Sequence, residues 1–597
     1  MTGRWSTGWR GVLLLTLLGF VVYGNAFDAP FHYDDLHSIK YNPHIRTLAG
    51  VPDHFVDPGT FSSRVRGFMY RPVLMTSYSL DYALWGGDAG GFRVSNFLLH
   101  VIASSLFGLL MGRWVGSGAT AGAAVLFLVH PLHGETVNYL SSRSDLLVAV
   151  FSLACLAVMR ASSSWPLLVL YVGAVLSKSV GVTMPAIAAS LVIAEEGWRG
   201  LMRDRRRYVA VGLLSAVYLW ILWSTRFLVS SYEKLPRSPL AEFWTQIKAL
   251  VYYGWLSSSP VHLSVDHAFS FAVTPMSAVV VAALALILSA LLLGVRCRRS
   301  LPARGVFFFI IAMLPYLVVP LNIVVAERRA YLASCGLFLI GIWAWHMARR
   351  RWGAMLQPVG VALCLVLSLL TIDRNEVWAN DISLWGDAVL RNPGSARPRV
   401  NLALAHKREG ELPQARAHLD EGLRLDPGFA EGWVILGELR RDAGDVDGAL
   451  MAFRRGAALD PTMAGVFHNL GNVTMHRGWI DSAVVHYERV LSLDPDFAEA
   501  RNNLGYALEQ QDRWPEALAA YRQAVVDSIY WINTDDPVGG AWFNRARAAD
   551  HLGYWEEALK AYREAQARLD VDPRYAEYAQ RAGERLEEME QQGLPSR

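Results

Sequence analysis

Up to about residue 375 this sequence runs through one long apolar stretch after another, and beyond that point such stretches all but cease. This division constrains the fold more than any single motif does. A stretch of roughly 20 apolar residues matches a bilayer core of about 30 Å, and only a helix satisfies its own backbone groups there. Qualifying windows lie near 9–27, 92–112, 117–134, 142–160, 163–178, 180–195, 208–228, 271–295, 305–323, 329–348 and 353–372. The sequence therefore predicts an all-α chain in two parts, a polytopic helix bundle of about eleven spans and a charged, Ala-rich remainder made for water.

Basic residues orient the spans, because positive charge stays on the cytoplasmic side. Arg4 and Arg10 precede the first span, Arg113 follows the second and Arg160 the fourth. Arg199, Arg203 and Arg205 to Arg207 lie between the sixth and seventh. Arg296, Arg298, Arg299 and Arg304 separate the eighth and ninth, and Arg349 to Arg351 the tenth and eleventh. With eleven spans every cluster falls on one side, which places the N-terminus in the cytoplasm. The loop 28–91 and everything after residue 375 then lie outside. The first run lacks a small-x-small cleavage site, so an uncleaved first helix is expected rather than a signal peptide. The four cysteines sit in or beside apolar spans and form no disulfide or zinc pattern. The net charge of +3 gives no reason to expect a nucleic-acid partner.

After residue 390 the sequence repeats itself. Pro393, Pro427, Pro461 and Pro495 are 34 residues apart, as are Leu402, Leu436, Leu470 and Leu504, and Ala415, Ala449, Ala483 and Ala517. A 34-residue period with a small residue in each helix and proline at the exit is the tetratricopeptide signature. Small residues such as Gly437, Gly471 and Gly505 let paired helices approach closely, and the Asp-Pro steps stop the second helix. A fifth unit follows an insertion around Ile529 to Gly540. The expected organisation is a membrane domain 1–375, a connecting helix 376–394, about five repeats over 395–574, and a capping helix and tail 575–597. Such α-solenoids present a concave face to peptides or proteins. Asn469, Asn472, Asn502 and Asn503 recur where their amides could hold an extended backbone by donating and accepting together. A bare spacer is the duller alternative.

Polar groups collect at the predicted outer ends of the spans. Asp34 and Asp35 follow the first. Arg71-Pro72 ends the outer loop. His130-Pro131-Leu132-His133-Gly134-Glu135 follows the third span, and Arg143-Ser144-Asp145 opens the fourth. Lys178 lies between the fifth and sixth, Asp266-His267 before the eighth, and Glu327-Arg328-Arg329-Ala330-Tyr331 between the ninth and tenth. Each has an ordinary reading: Arg143 and Asp145 as a pair at a helix mouth, His130 and His133 as structural rather than metal-binding, Lys178 reaching for the interface, His100 as a bridge between helices. Their joint position is the informative feature, since ionisable groups near a bilayer are costly. Cations beside paired carboxylates suit a lipid-linked phosphate and an acceptor hydroxyl, with arginine or lysine holding the phosphate and a carboxylate taking the proton.

The combination Tyr33-Asp34-Asp35, Arg71-Pro72-Val73, Phe92-Arg93-Val94-Ser95-Asn96-Phe97-Leu98-Leu99-His100, the His130–Glu135 run, Arg143-Ser144-Asp145 and Glu327–Leu332 resembles the transmembrane, TPR-carrying O-mannosyltransferases of the GT-C class. The resemblance runs through nearly the whole chain and rests on the ordered set. It implies a polyprenyl-phosphate sugar donor, mannose as the sugar, and a Ser/Thr hydroxyl acceptor on the non-cytoplasmic side. By carry-over, Asp34 or Asp35 is the catalytic base, with Asp35 slightly preferred, and Arg71, Lys178 and Arg328 contact the donor phosphate. His130, His133, Glu135, Arg143, Asp145, Asp266, His267, Glu327 and Tyr331 form the supporting polar site. The family has an acidic residue after the lysine, where this chain has Ser179. No cofactor is assigned and the metal question stays open. The expected partners are the bilayer, the lipid-linked sugar and a protein or peptide held by the repeats. Arginine- and alanine-rich composition points to a bacterial-type member in an inner membrane, with its repeats in the periplasm. Rival readings are a GT-C transferase acting on a cell-envelope glycan or lipid, and a non-catalytic membrane scaffold.

Overall fold

The computed structural model describes residues 8–62, 69–160, 163–224, 238–267, 269–272, 274–319, 323–528, 538–569 and 576–591. Among them no strand occurs and helices carry the fold. The chain divides into two compact units, broadly the residues up to Pro393 and those from Gly394 onward.

In the first unit eight helical segments are long and apolar enough to cross a membrane: Trp9–Ala26, Ala89–Trp114, Leu140–Val158, Ser179–Glu196, Arg205–Ser224, Ala278–Arg296, Leu301–Val318 and Glu327–Val377. This is a multi-pass membrane protein. The last segment holds two helices, Ala330–Trp352 and Gln357–Val377. Two expected windows hold shorter apolar stretches, Ser117–Leu128 and Trp165–Ser177. The division expected between the fifth and sixth windows is a real break: Lys178 is extended, and a short 3-10 turn leads into the helix Met184–Glu196.

Two helices were not expected. Pro72–Trp85 lies inside the supposed loop 28–91, opened by a proline whose missing N–H costs nothing at that position. Pro239–Ser258 begins on a Ser238 cap and buries Glu242, Thr245 and Gln246 along with Ile247, Leu250, Tyr253 and Leu256, while exposing Leu240, Phe243 and Trp255. Its polar residues kept it out of the apolar windows.

The helix Ala89–Trp114 buries a polar stripe at helical spacing. Arg93 bonds the carbonyls of Ala29, Pro30 and Asn138. Asn96 donates to the Val137 carbonyl at 3.2 Å and accepts from Arg143 Nε at 2.6 Å. His100 meets the Tyr331 hydroxyl at 2.6 Å and the Leu128 carbonyl at 3.0 Å, a bridge between helices. These bonds fix the segments on which the carboxylate pair sits.

The second unit stacks helix pairs: Ala396–Arg408 with Leu412–Leu425, Ala430–Asp442 with Val446–Leu459, Ala464–His476 with Ile480–Leu493, Ala498–Glu509 with Trp514–Ser528, and Val538–His551 with Trp555–Leu569. The helix Ala576–Gln591 follows. Most of the insertion around Ile529 to Gly540 lies outside the described residues. A Cβ on Gly437 would sit 2.5 Å from the Phe453 ring, and one on Gly505 would sit 2.6 Å from the Tyr521 ring, so these glycines admit the aromatic of the partner helix. Inside the first three hairpins, Gly410, Gly444 and Gly478 take φ of 78°, 79° and 74°. The fourth puts Asp512 in the same place at φ 58°. A side chain there costs about 1–2 kcal/mol. Gly478→Ala should therefore lower the melting temperature of the repeats although its Cβ meets open space, and Asp512→Gly should raise it. A Gly478→Ala chain melting with its parent would contradict this.

Candidate active site

The adjacent carboxylates open a helical stretch, and one of them is exposed while the other is buried. Tyr33 has φ 48°, in the left-handed region that a bulky residue enters only under constraint. Its ring meets Trp385 edge-on at 4.8 Å. Asp35 is fully buried. Asp35 Oδ1 accepts from the Ser141 N–H at 2.7 Å and the Ser141 hydroxyl at 2.6 Å, and Oδ2 accepts from the His32 N–H at 3.1 Å. Burial raises its carboxyl against the pull of Ser141, the His32 N–H and the charges of His32 and Arg93. Full burial with donors on both oxygens suits a structural anchor.

Asp34 is the accessible member, with 63% of its side chain exposed. Its Oδ2 accepts from the Tyr139 hydroxyl at 2.8 Å, and Oδ1 lies 3.4 Å from His37 Nε2. Desolvation pushes this carboxyl up, but hydrogen bonds from His37 and Tyr139 and the charges of His37 and Arg328 outweigh it and hold the group at about 2. Asp34 is thus an ionised carboxylate, gripped at each oxygen and open to a solute.

The three predicted cations are in different states, and of them Arg328 is the one whose charge acts on Asp34. Arg328 is ion-paired with Glu135, whose other oxygen accepts the Arg328 backbone N–H at 3.0 Å. Its guanidinium lies 5.3 Å from the centre of the Tyr139 ring. Lys178 Nζ is 2.6 Å from both oxygens of Asp145 and is buried with it. Arg71 donates to Ser144 Oγ at 3.3 Å and lies 5.7 Å from the Phe61 ring centre. Among the described residues it has no carboxylate partner. The charges of Arg71 and Arg328 both act on the Lys178 ammonium, so the three share one neighbourhood.

Other predicted members serve elsewhere. Arg143 does not pair with Asp145: it is buried, 2.5 Å from Asp81 Oδ2 and 2.8 Å from the Phe92 carbonyl, binding the unexpected helix Pro72–Trp85 to the bundle. Asp145 lies two residues along the same helix and so points away from it. His130 caps a short turn by accepting the Leu132 N–H, and its ring stands 4.7 Å from Phe338. His133 bonds the Phe127 carbonyl at 2.8 Å and Ser334 at 3.1 Å and lies 4.6 Å from the Tyr331 ring. These three belong to a buried aromatic cluster. Glu327 accepts from the Ser264 N–H at 2.5 Å and approaches Arg374 and His267, each at 3.4 Å. Asp266 contributes its carbonyl to Ser264 and Asn392. Glu327, Asp266 and His267 therefore lock the segment before the eighth apolar window. Among the described residues no three His, Cys, Asp or Glu side chains converge as a metal site.

Sequence reasoning missed the groups that hold the carboxylates: His37, Tyr139, Ser141 and His32. His32 Nδ1 is 2.8 Å from Asp381 and Nε2 is 3.0 Å from the Trp378 carbonyl, so the segment following the last apolar helix braces the loop. The repeated asparagines bond to neighbours. Asn503 donates to Asn472 Oδ1 at 3.1 Å, Asn544 donates to Asn502 Oδ1 at 3.0 Å, and Asn469 approaches Glu438 at 3.3 Å. They tie successive repeats together.

Family models for tetratricopeptide repeats match residues 400–464, 471–512 and 497–528. The second unit is a tetratricopeptide array. Over most of its length the chain is similar to a protein O-mannosyl-transferase of Caenorhabditis elegans, 24% identical over 457 residues, covering 71% of this chain and 64% of the relative. A protein O-mannosyl-transferase of Mus musculus is 25% identical over 471 residues, 65% of this chain and 63% of the relative. The chain's relatives are protein O-mannosyl-transferases. One of Xenopus laevis reaches 33% identity, over 148 residues that cover 24% of this chain and 18% of the relative. The chain spans just under two thirds of the length of the first two relatives. Among solved structures, a TPR protein described as having an unusual peptide-binding site is 22% identical, with a TM-score of 0.27, covering 33% of this chain and 97% of its own.

Proposed function

We propose that this protein is a membrane glycosyltransferase that moves mannose from a polyprenyl-phosphate donor to a Ser/Thr hydroxyl of a protein, with Asp34 as the base. The observation that carries this reading is the asymmetry of the pair: one carboxylate is exposed, ionised and acted on by the Arg328 charge, and the other is buried and bonded at both oxygens. Similarity to protein O-mannosyl-transferases supports the sugar and the acceptor class.

In the displacement, the acceptor hydroxyl oxygen bonds to the anomeric carbon while its proton passes to Asp34. The bond from that carbon to the phosphate oxygen breaks, and both its electrons leave with the lipid phosphate. The configuration inverts. Arg71 supplies positive charge not already matched by a carboxylate, and Arg328 and Lys178 add paired charge nearby. The distribution of basic residues between the spans supports a non-cytoplasmic face for this site and for the repeats. In a bacterial inner membrane that face is periplasmic and the donor undecaprenyl-like. The repeats recruit the acceptor polypeptide or an assembly partner.

Incubating the purified full chain with polyprenyl-phosphate mannose and a Ser/Thr-containing peptide should release lipid phosphate and add one hexose to the peptide, read by mass spectrometry. Lipid-phosphate release with mannose appearing only on a glycan or lipid would replace the protein acceptor. No release from any polyprenyl-phosphate sugar would sink the reading.

A further inference from the structure

Between the exposed carboxylate and the nearest arginine stands one aromatic residue with three separate contacts. Tyr139 follows the one-turn helix Gly134–Asn138, and its N–H closes that turn on the Glu135 carbonyl at 3.0 Å. From this turn Glu135 pairs with the Arg328 guanidinium, which lies over the Tyr139 ring 5.3 Å from its centre. The hydroxyl at the far end of the ring donates to Asp34 Oδ2 at 2.8 Å. The ring also stacks on the buried Trp378, with 5.9 Å between centroids and 25° between planes.

We propose that Tyr139 is a positioning residue that sets the Asp34 carboxylate at a fixed distance from the Arg328 guanidinium, so that base and phosphate-binding charge act on one bound donor. The inference rests on the proposed function. In a displacement where bond making and bond breaking proceed together, the base and the charge on the leaving group must both be placed before the reaction begins. The turn and the residue that closes it carry both brackets: Glu135 and the Tyr139 ring meet the guanidinium, and the Tyr139 hydroxyl bonds the carboxylate. Burial and the nearby carboxylates of Asp34 and Asp35 hold the phenol well above its ordinary value, so it remains a donor. A merely structural ring in this place would need no hydroxyl.

Tyr139→Phe keeps the stacking and the guanidinium contact and removes only the bond to Asp34. In the full chain, assayed with polyprenyl-phosphate mannose and a Ser/Thr peptide, it should lower kcat by about 10- to 100-fold and leave the donor KM within about twofold. Tyr139→Leu removes both brackets and should add a several-fold rise in donor KM to the same loss of kcat. Wild-type kcat in Tyr139→Phe overturns the proposal. So does a fall in kcat that comes with a donor KM raised as far as in Tyr139→Leu and a lowered melting temperature, because a ring that only fills space would behave that way. Failure of the underlying reading shows separately, as no transfer by the unsubstituted chain.

Discussion

Asp34→Asn is expected to lower mannosyl transfer by about 10³-fold or more in a chain that melts at the parent temperature. The substitution is nearly isosteric at an exposed position, and the amide oxygen can still accept from Tyr139 or His37. What disappears is the ability to take a proton from an acceptor hydroxyl. Asp35→Asn should behave differently. There the amide NH2 must face either the Ser141 N–H and hydroxyl or the His32 N–H, all of them donors, so one buried donor loses its acceptor. That variant should lose thermal stability first and activity as a consequence. A stable, inactive Asp35→Asn beside a fully active Asp34→Asn would reverse the assignment. The pH dependence has a definite sign. A base works only when deprotonated, and a carboxyl held at about 2 loses its ionised form only as the pH falls toward that value. The kcat/KM of the wild-type chain should therefore show no acid limb from this group between about pH 5 and 7. Removing the Tyr139 or His37 donor raises the carboxyl and moves its limb upward.

The repeats were legible in the sequence because one physical demand recurs: at Gly437 and Gly505 an aromatic of the partner helix occupies the space of a Cβ, and the period of 34 brings that demand back. The apolar windows were legible for the same kind of reason, as each answers a single length requirement. The site was legible only as a set of residues. Which carboxylate faces solvent depends on the donors that take up Asp35, the Ser141 N–H and hydroxyl and the His32 N–H, which no pattern announces. Which acid pairs with which base depends on contacts across the bundle. Arg143 finds Asp81 on a helix hidden in the apparent loop, and Lys178 finds Asp145 from 33 residues away. The two histidines of the His130–Glu135 run have ligand-like spacing, yet one caps a turn and the other lies among aromatic rings. Asparagines at helix spacing looked free for a peptide, whereas a solenoid brings first-helix positions of neighbouring repeats within bonding reach. Tyr139 carried a faint signal: it stands four residues after Glu135, where a single helical turn places both beside the same partner.

Charge matching makes Arg71 the cation whose loss the donor should feel most. Glu135 already offsets Arg328 and Asp145 already offsets Lys178, so an incoming phosphate gains less from either than from a cation with no described carboxylate beside it. Arg71 is also held in place. It precedes Pro72, which keeps it out of the helix at φ −139° and ψ 61°, and its guanidinium is steadied by Ser144 and the Phe61 ring. Arg71→Ala should reduce kcat/KM for the lipid-linked donor by about 10²- to 10³-fold, with little change in melting temperature because no buried acid is stranded. Inhibition by free polyprenyl phosphate should weaken in parallel, since the charge that steadies the leaving phosphate also binds the product. Arg71→Lys should recover only part of the loss, a point charge replacing a two-pronged donor. Lys178→Met provides the contrast: it leaves Asp145 buried without its partner, so its first effect should be a lower melting temperature. Unchanged product inhibition in Arg71→Ala would mean that the phosphate binds through Arg328 and Lys178 despite their carboxylates. The pairs would then have to open when the donor arrives, and the base and the phosphate site would be coupled through Glu135 and Asp145 instead.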